Sequence, residues 1–256
     1  MTEVSGRSSH LATAAWVPVV VPYAGRVTGE LELTSVAQDY LKVVWSAQEW
    51  SDEPVTTKLL AERIGVGAST VSETVRRLSA QGLLEHARYG SVALTELGRA
   101  HALQIVRRHR LIETFLVSEL GYTWDEVHDE AEVLEHAVSS LMVDRIDARL
   151  GHPVRDPHGD PIPAPDGTVP APPAVTLAVL DAGTQGTVAR ISDADGEVLR
   201  YFAEIGFGLD AHVRVAERRD FAGVLSIEWA PGDAPSSTST VDLGLRAADA
   251  VWVVTE

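Results

Sequence analysis

The sequence predicts an α+β chain of several modules, helical through its first half and built of short strands in its last third. Three observations carry that class. Apolar residues recur at helical spacing with few breaks between Thr34 and Arg149. The stretch Gly151–Pro173 then holds eight of the 13 prolines, which stops helical periodicity and reads as a connector. Beyond it, from VTLAVLDAGTQGTVARI to AVWVVTE, short alternating runs broken by Gly and Asp spell the strands of a small β-barrel of SH3-like size, with one helix near 196–205.

Composition sets further bounds. At 256 residues the chain exceeds one average domain, and 45% hydrophobic with 23% charged residues is ordinary for a globular protein. No apolar run is long enough for a membrane span, so a cytoplasmic protein without a membrane partner is expected. The absence of cysteine excludes disulfides, thiolate metal sites and thiol nucleophiles, leaving oxygen and imidazole as metal ligands. Net charge is −16, yet residues 55–110 carry nine Lys/Arg against four acids, a local excess of +5. A short basic segment inside an acidic chain is the electrostatic footprint of a nucleic-acid contact.

Taken in order, residues 1–29 read as a weakly ordered extension. Leu11–Gly25 is apolar but broken by Pro18 and Pro22, and Glu3 offsets Arg7, so a signal peptide is not expected. The segment 34–50 spaces Val36, Tyr40, Val43, Val44 and Ala47 as one helix face, with Thr34 or Ser35 as N-cap. TTKLLAERIG and ASTVSETVRRLSAQG follow as two short helices, with Gly65 and Gly67 in the turn and Gly82 at the end. LLEHARYGSVALT alternates about Tyr89-Gly90 as a hairpin. Helix, helix–turn–helix and hairpin together are the order of a winged helix, expected over 30–100. A long amphipathic helix from Glu96 to Leu120 and two further helices make a helical module over 101–150. The connector covers 151–174 and the SH3-like domain 175–256.

In a helix–turn–helix, the start of the second helix faces base edges in the major groove. Those residues here are Ser69, Thr70, Ser72 and Glu73, followed one turn on by Arg76 and Arg77, with Arg88 on the wing placed for phosphate. A second constellation lies in VHDEAEVLEH. On a helix, Glu132, Glu135 and His136 share one face, and His128 extends the stripe by one turn. One helix upstream, His109 and Glu113 form another i, i+4 pair. So many carboxylates and imidazoles in one place would repel unless a cation neutralised them, and the mixed nitrogen and oxygen set suits Mn(II), Fe(II) or Zn(II).

VHDEAEVLEH, preceded by RRHRLIETFL and followed by DPHGDPIP, resembles the diphtheria toxin repressor family of metal-dependent transcriptional repressors, over about residues 34–255. The resemblance implies a homodimer that binds palindromic double-stranded operator DNA when loaded with divalent metal, the central helices serving for metal binding and dimerisation and the tail being FeoA-like. It implies a primary site of Asp39, Glu132, Glu135 and His136, with carboxylates at the two positions where iron-responsive members carry methionine and cysteine. That pattern is similar to the manganese transport regulator branch, and hard ligands favour Mn(II). Fe(II), Co(II), Zn(II) or Cd(II) would substitute in vitro. The implied ancillary site is His109, Glu113 and His128, with Asp195 from the SH3-like domain, and Asp193 or Glu197 as rivals; Val198 stands where a second tail ligand is often found. Lys42 stands where short members of the family have a glutamate, which disfavours a close dinuclear centre.

The expected function is therefore a Mn(II)-dependent repressor of metal-uptake genes, with Fe(II) or dual-metal sensing as the alternative. A metal-dependent hydrolase using Glu130 or Glu135 as general base is the distant alternative; HExxH, nucleophile-elbow and phosphate-loop patterns are all absent from the sequence, so neither enzyme activity nor a small-molecule substrate is expected.

Overall fold

The computed structural model describes residues 33–86, 91–232 and 237–256. The extension over 1–29, the hairpin tip at Tyr89-Gly90 and Arg88 lie outside the described residues.

The first helix, α1 (Ser35–Glu49), starts where Thr34 accepts a hydrogen bond from Ala37 N. Ala37, Tyr40, Leu41, Val44 and Ala47 are its buried stripe. α2 (Thr57–Ile64), capped by Thr56, ends at Gly65 with φ +73°, a left-handed conformation that glycine adopts without strain. α3 (Ala68–Ala80) follows, then the antiparallel pair β1 (Leu84–His86) and β2 (Val92–Leu94). Their apolar faces close on Leu60, Val71, Val75, Leu78 and Leu83, all at most 1% exposed, so the winged-helix order becomes one packed core.

α4 (Glu96–Phe115) runs away from this core, capped by Thr95. The helix expected to continue to Leu120 passes at Leu116–Leu120 into a π-turn closed by Gly121 at φ +76°. α5 (Val127–Leu134) and α6 (Ser140–Arg149) complete the helical module. α5 stops short of Glu135 and His136, because the chain tightens there: Ala137 N bonds Leu134 O at 2.9 Å and Ser139 caps the next helix. The single stripe expected from Glu132 to His136 is thus divided between a helix and the turn after it.

In the connector, Asp156 Oδ1 accepts from His158 N at 2.8 Å and from Asp160 N at 2.9 Å, folding DPHGD into a tight Asx-type loop. Gly159 sits at φ +89°, and a Cβ there would meet Ala189 O at 2.1 Å, so the loop lies directly on the barrel backbone. The barrel strands are β3 (Val175–Thr176), β4 (Gln185–Ile191), β5 (His212–Arg219), β6 (Val224–Ala230), β7 (Ser239–Gly244) and β8 (Val251–Thr255), with α7 (Gly196–Ile205) and α8 (Leu245–Asp249) between them. The sheet order is β3-β8-β4-β5-β6-β7, antiparallel throughout, around Val188, Phe202, Phe207, Val215, Ile227 and Val253. Among the described residues no helix is long and apolar enough to cross a membrane.

Candidate metal centre

α1 turns its apolar face to the winged-helix core, which leaves Gln38, Asp39 and Lys42 on the flank facing the helical module. There Asp39 Oδ1 lies 2.9 Å from His136 Nε2, and His136 Nε2 lies 3.5 Å from Glu135 Oε1. Gln38 Oε1 is 3.0 Å from His136 Nδ1, a contact that holds the ring with Nε2 toward the carboxylates. The Lys42 ammonium donates to Glu132 Oε1 at 2.7 Å and to Glu135 Oε1 at 2.6 Å.

A second group lies deeper. His109, one face-turn before Glu113 on α4, contacts Glu135 Oε2 at 2.6 Å through Nδ1 and Glu113 Oε1 at 3.0 Å through Nε2. His128 Nδ1, on α5, is 3.3 Å from Glu113 Oε1 and 3.1 Å from Asp193 Oδ2 of the barrel. His158 brings Nδ1 to 3.9 Å from Glu113 Oε2, while its Nε2 meets Trp124 O at 2.7 Å. Donor atoms thus gather within 4.8 Å of one another in four sets among the described residues, one separate and three linked through His128 and Glu113: Asp39, Glu135 and His136; His109, His128 and Glu132; Glu113, His128 and Asp193; Glu113, Asp156 and His158.

The four residues expected at the primary site all come to this junction. Glu132, however, is taken by Lys42 and approaches His128 Nε2 at 3.4 Å instead of Asp39. His109, Glu113 and His128 lie in contact with one another. Asp195, the first choice for the ligand from the SH3-like domain, does not join them here: it is the N-cap of α7, accepting from Glu197 N at 3.0 Å and pairing with Arg246. Asp193, two residues earlier in the same turn, reaches His128 instead. Asp156 and His158 were missed as donors, although the DPHG sequence could have flagged them. Glu135 is a poor general base, since one oxygen accepts from Lys42 and the other is held by His109.

The electrostatics separate the two groups. Burial disfavours a charged His109, but Glu113 and Glu135 outweigh it and raise its pKa to about 9. Burial likewise opposes charge on His128, and Asp193 with Glu113 raises it to about 11. Glu113 and Asp193, although desolvated, are held well below the usual carboxylate range by these imidazoliums. Asp156 moves the other way: burial, then Asp160 and Glu113, push it well above the ordinary value. In the outer group, burial raises Asp39 above its ordinary value, although His136 and Lys42 pull against it.

Divalent metal fits these residues on two grounds. The donors are carboxylates and imidazoles only, the set preferred by hard to borderline ions. Asp39 Oδ1 and His158 Nδ1 are also buried and lack a hydrogen bond, each aimed among other potential ligands.

On the winged helix, Ser69, Thr70, Ser72, Glu73, Arg76 and Arg77 are all exposed along α3. Ser72 Oγ donates to Ala68 O at 2.9 Å, and no ion pair engages Arg76 or Arg77 among the described residues.

Three family descriptions match the chain in succession. Residues 32–92 match the iron dependent repressor N-terminal DNA binding domain, 95–164 the iron dependent repressor metal binding and dimerisation domain, and 175–255 the FeoA domain. The chain is 39% identical over 132 residues to the iron-dependent repressor IdeR of Mycobacterium tuberculosis, covering 52% of this chain and 57% of that protein. To the diphtheria toxin repressor of Corynebacterium diphtheriae it is 34% identical over 163 residues, 64% of this chain and 68% of the relative. Among solved structures, a manganese-dependent transcriptional repressor in complex with manganese shares 62% identity at TM-score 0.81, covering 86% of this chain and 100% of the other. ScaR with bound Cd2+ shares 32% identity at TM-score 0.72, covering 86% and 99%.

Proposed function

The chain belongs to the iron-dependent repressor family, and on that premise we propose that it is a Mn(II)-activated, dimeric repressor of metal-uptake genes that binds palindromic operator DNA. The observation that carries the metal assignment is the junction itself. Asp39 of α1 faces Glu135 and His136 beyond α5, so ligands from the DNA-binding and dimerisation modules share one site. Asp39, Glu132, Glu135 and His136 form the primary site. Glu113, His128 and Asp193 with His109 form the ancillary site, to which Asp156 and His158 lend further donors.

When bound, a divalent ion supplies the positive charge that lets these carboxylates converge. The residues do the rest. Asp39 is rigidly placed by the buried stripe of α1, so pulling it toward His136 fixes the angle between α3 and the dimer axis. Two α3 helices held at one spacing can then enter successive major grooves together, Ser69, Thr70, Ser72 and Glu73 facing bases, and Arg76 and Arg77, with Arg88 of the wing, facing phosphates. Coupling of this kind is reciprocal, so operator DNA tightens metal binding by the same factor.

Mn(II) is favoured over Fe(II) by the all-carboxylate and imidazole donor set, and by the 62% identity to a relative solved with manganese. The test is binding to the DNA upstream of the protein's own gene, titrated with Mn(II), anaerobic Fe(II) and Zn(II), each reversed by chelator. Mn(II) should switch binding on at lower concentration relative to its cellular supply than Fe(II) does. Equal or better activation by Fe(II) makes the protein an iron or dual-metal sensor, and binding indifferent to chelator removes the mechanism.

A further inference from the structure

Lys42 is a buried lysine whose side chain is 10% exposed, and its ammonium is satisfied by two carboxylates assigned above to the metal. Glu135 is the more informative partner. It is fully buried, Oε2 is engaged by His109, and Oε1 is 2.6 Å from Lys42 and 3.5 Å from His136. The oxygen that faces the Asp39–His136 pair is therefore the one that Lys42 already holds. Glu132 Oε1 is held in the same way, at 2.7 Å, which draws Glu132 away from Asp39. An ammonium and a divalent ion cannot share these oxygens at close range without strong repulsion.

We propose that Lys42 is a tethered counter-cation that competes with the metal for Glu132 and Glu135, so that activation exchanges an ammonium for a divalent ion. The inference rests on the primary-site reading above. Without metal, Lys42 neutralises the excess of Asp39, Glu132 and Glu135 and links α1 to α5 through its own contacts. The displaced ammonium has somewhere to go. Lys42 lines a cavity of about 540 Å³ shared with Ser46, Glu49, Asp156 and Asp193, where water and carboxylates can receive it. Because each ion that binds must evict this cation, Lys42 sets the metal concentration at which the switch operates, holding affinity below what the bare ligand set would give.

The test compares Mn(II) binding isotherms of the full-length chain with those of Lys42→Met, Lys42→Gln, Lys42→Arg and His136→Ala, alongside thermal unfolding in chelator. Lys42→Met and Lys42→Gln should bind Mn(II) at the primary site about tenfold more tightly, while unfolding at lower temperature when metal-free. Lys42→Arg keeps the charge and should stay close to the parent affinity. Gln retains a hydrogen-bond donor, so it reads the charge separately should the Met variant fold poorly. Unchanged or weaker Mn(II) binding in both neutral variants overturns the proposal and leaves Lys42 a structural tether. If His136→Ala binds Mn(II) as the parent does, the primary-site reading itself has failed, whatever Lys42 does.

Discussion

The two clusters at the module junction are built from the same residue types and solve the same electrostatic problem in opposite ways. The inner one is sealed at its centre, where the side chains of Glu113 and His158 are at most 1% exposed, and reaches the surface at His128, and its carboxylates are neutralised by imidazoles that stay protonated well above their ordinary range. The outer one is open, with Asp39 at 37% and His136 at 25%, and it leaves a carboxylate oxygen without a hydrogen bond while a lysine holds the others. The difference teaches that proximity of ligands does not by itself make a switch. The inner group is a salt-bridge network that ties α4, α5, the connector and the barrel together, with His158 Nδ1 left without a hydrogen bond. The outer group joins α1 of the DNA-binding module to the residues that follow α5, and under the proposed function a metal there would hold the two modules together.

The sharpest way to break that contrast is to remove the anion at the centre of the inner network. Glu113→Ala removes the carboxylate between buried His109 and part-exposed His128, and should lower the stability of the metal-free protein by about 3 kcal/mol, read by denaturant unfolding. A loss under about 1 kcal/mol would mean the network is solvated and contributes little. The matching change in the outer group should do the reverse. Asp39→Ala deletes a partly exposed carboxylate whose attraction to His136 is offset by the cost of its burial, so metal-free stability should change little. Metal-dependent operator binding should fall about a hundredfold in a mobility-shift titration with Mn(II). Operator affinity equal to the parent's would remove Asp39 from the switch.

Proton linkage distinguishes the clusters without mutation. His109 has a folded pKa of about 9 against 6.5 unfolded, so its contribution is complete below about pH 6.5 and is lost as pH rises through 9. Glu113 is depressed, so its contribution is present above its ordinary 4.5 and is lost as pH falls. Metal-free protein should therefore be most stable near pH 5–6.5 and measurably weaker at pH 9 in thermal scans with chelator. Inner-site metal must displace the protons on His109 and His128, so its affinity should climb over the same interval while about one to two protons are released, measurable by calorimetry in buffers of different ionisation enthalpy. Stability that rises from pH 6.5 to 9 in chelator would contradict the protonated inner network.

Much of this architecture could be read from the sequence, because it rests on local rules. Thr34 and Thr95 cap their helices, Gly65 closes α2 and the prolines interrupt helical periodicity at the connector. The pairing of His109 with Glu113 and of His128 with Glu132 follows from helical spacing alone. What could not be read depends on placement between modules. Lys42 was visible as a basic residue in an acidic setting, but only the packing of α1 against α5 shows which carboxylates it holds. Asp156 and His158 enter the inner cluster because Gly159 lets the loop lie on the barrel backbone, a contact far apart in sequence. The end of α5 before Glu135 was likewise invisible, since the residues beyond it keep helical spacing while the backbone tightens.

The choice between Asp193 and Asp195 gives the finest test. Both lie in the turn SDADG before α7, and family resemblance put Asp195 first, with Asp193 and Glu197 as rivals. Capping chemistry argues otherwise: an aspartate immediately before a helix whose side chain bonds the N2 amide is an N-cap, as Asp195 does toward Glu197 N. Its oxygens are committed to the helix end and to Arg246, leaving Asp193 to face His128. Asp195→Ala should therefore lower the melting temperature slightly, through the lost N-cap, with Mn(II) stoichiometry unchanged. Asp193→Ala should lose the inner metal while the primary site still fills. If instead Asp195→Ala abolishes inner-site binding and Asp193→Ala does not, the turn must refold when metal enters, and the sealed cluster would prove as adaptable as the open one.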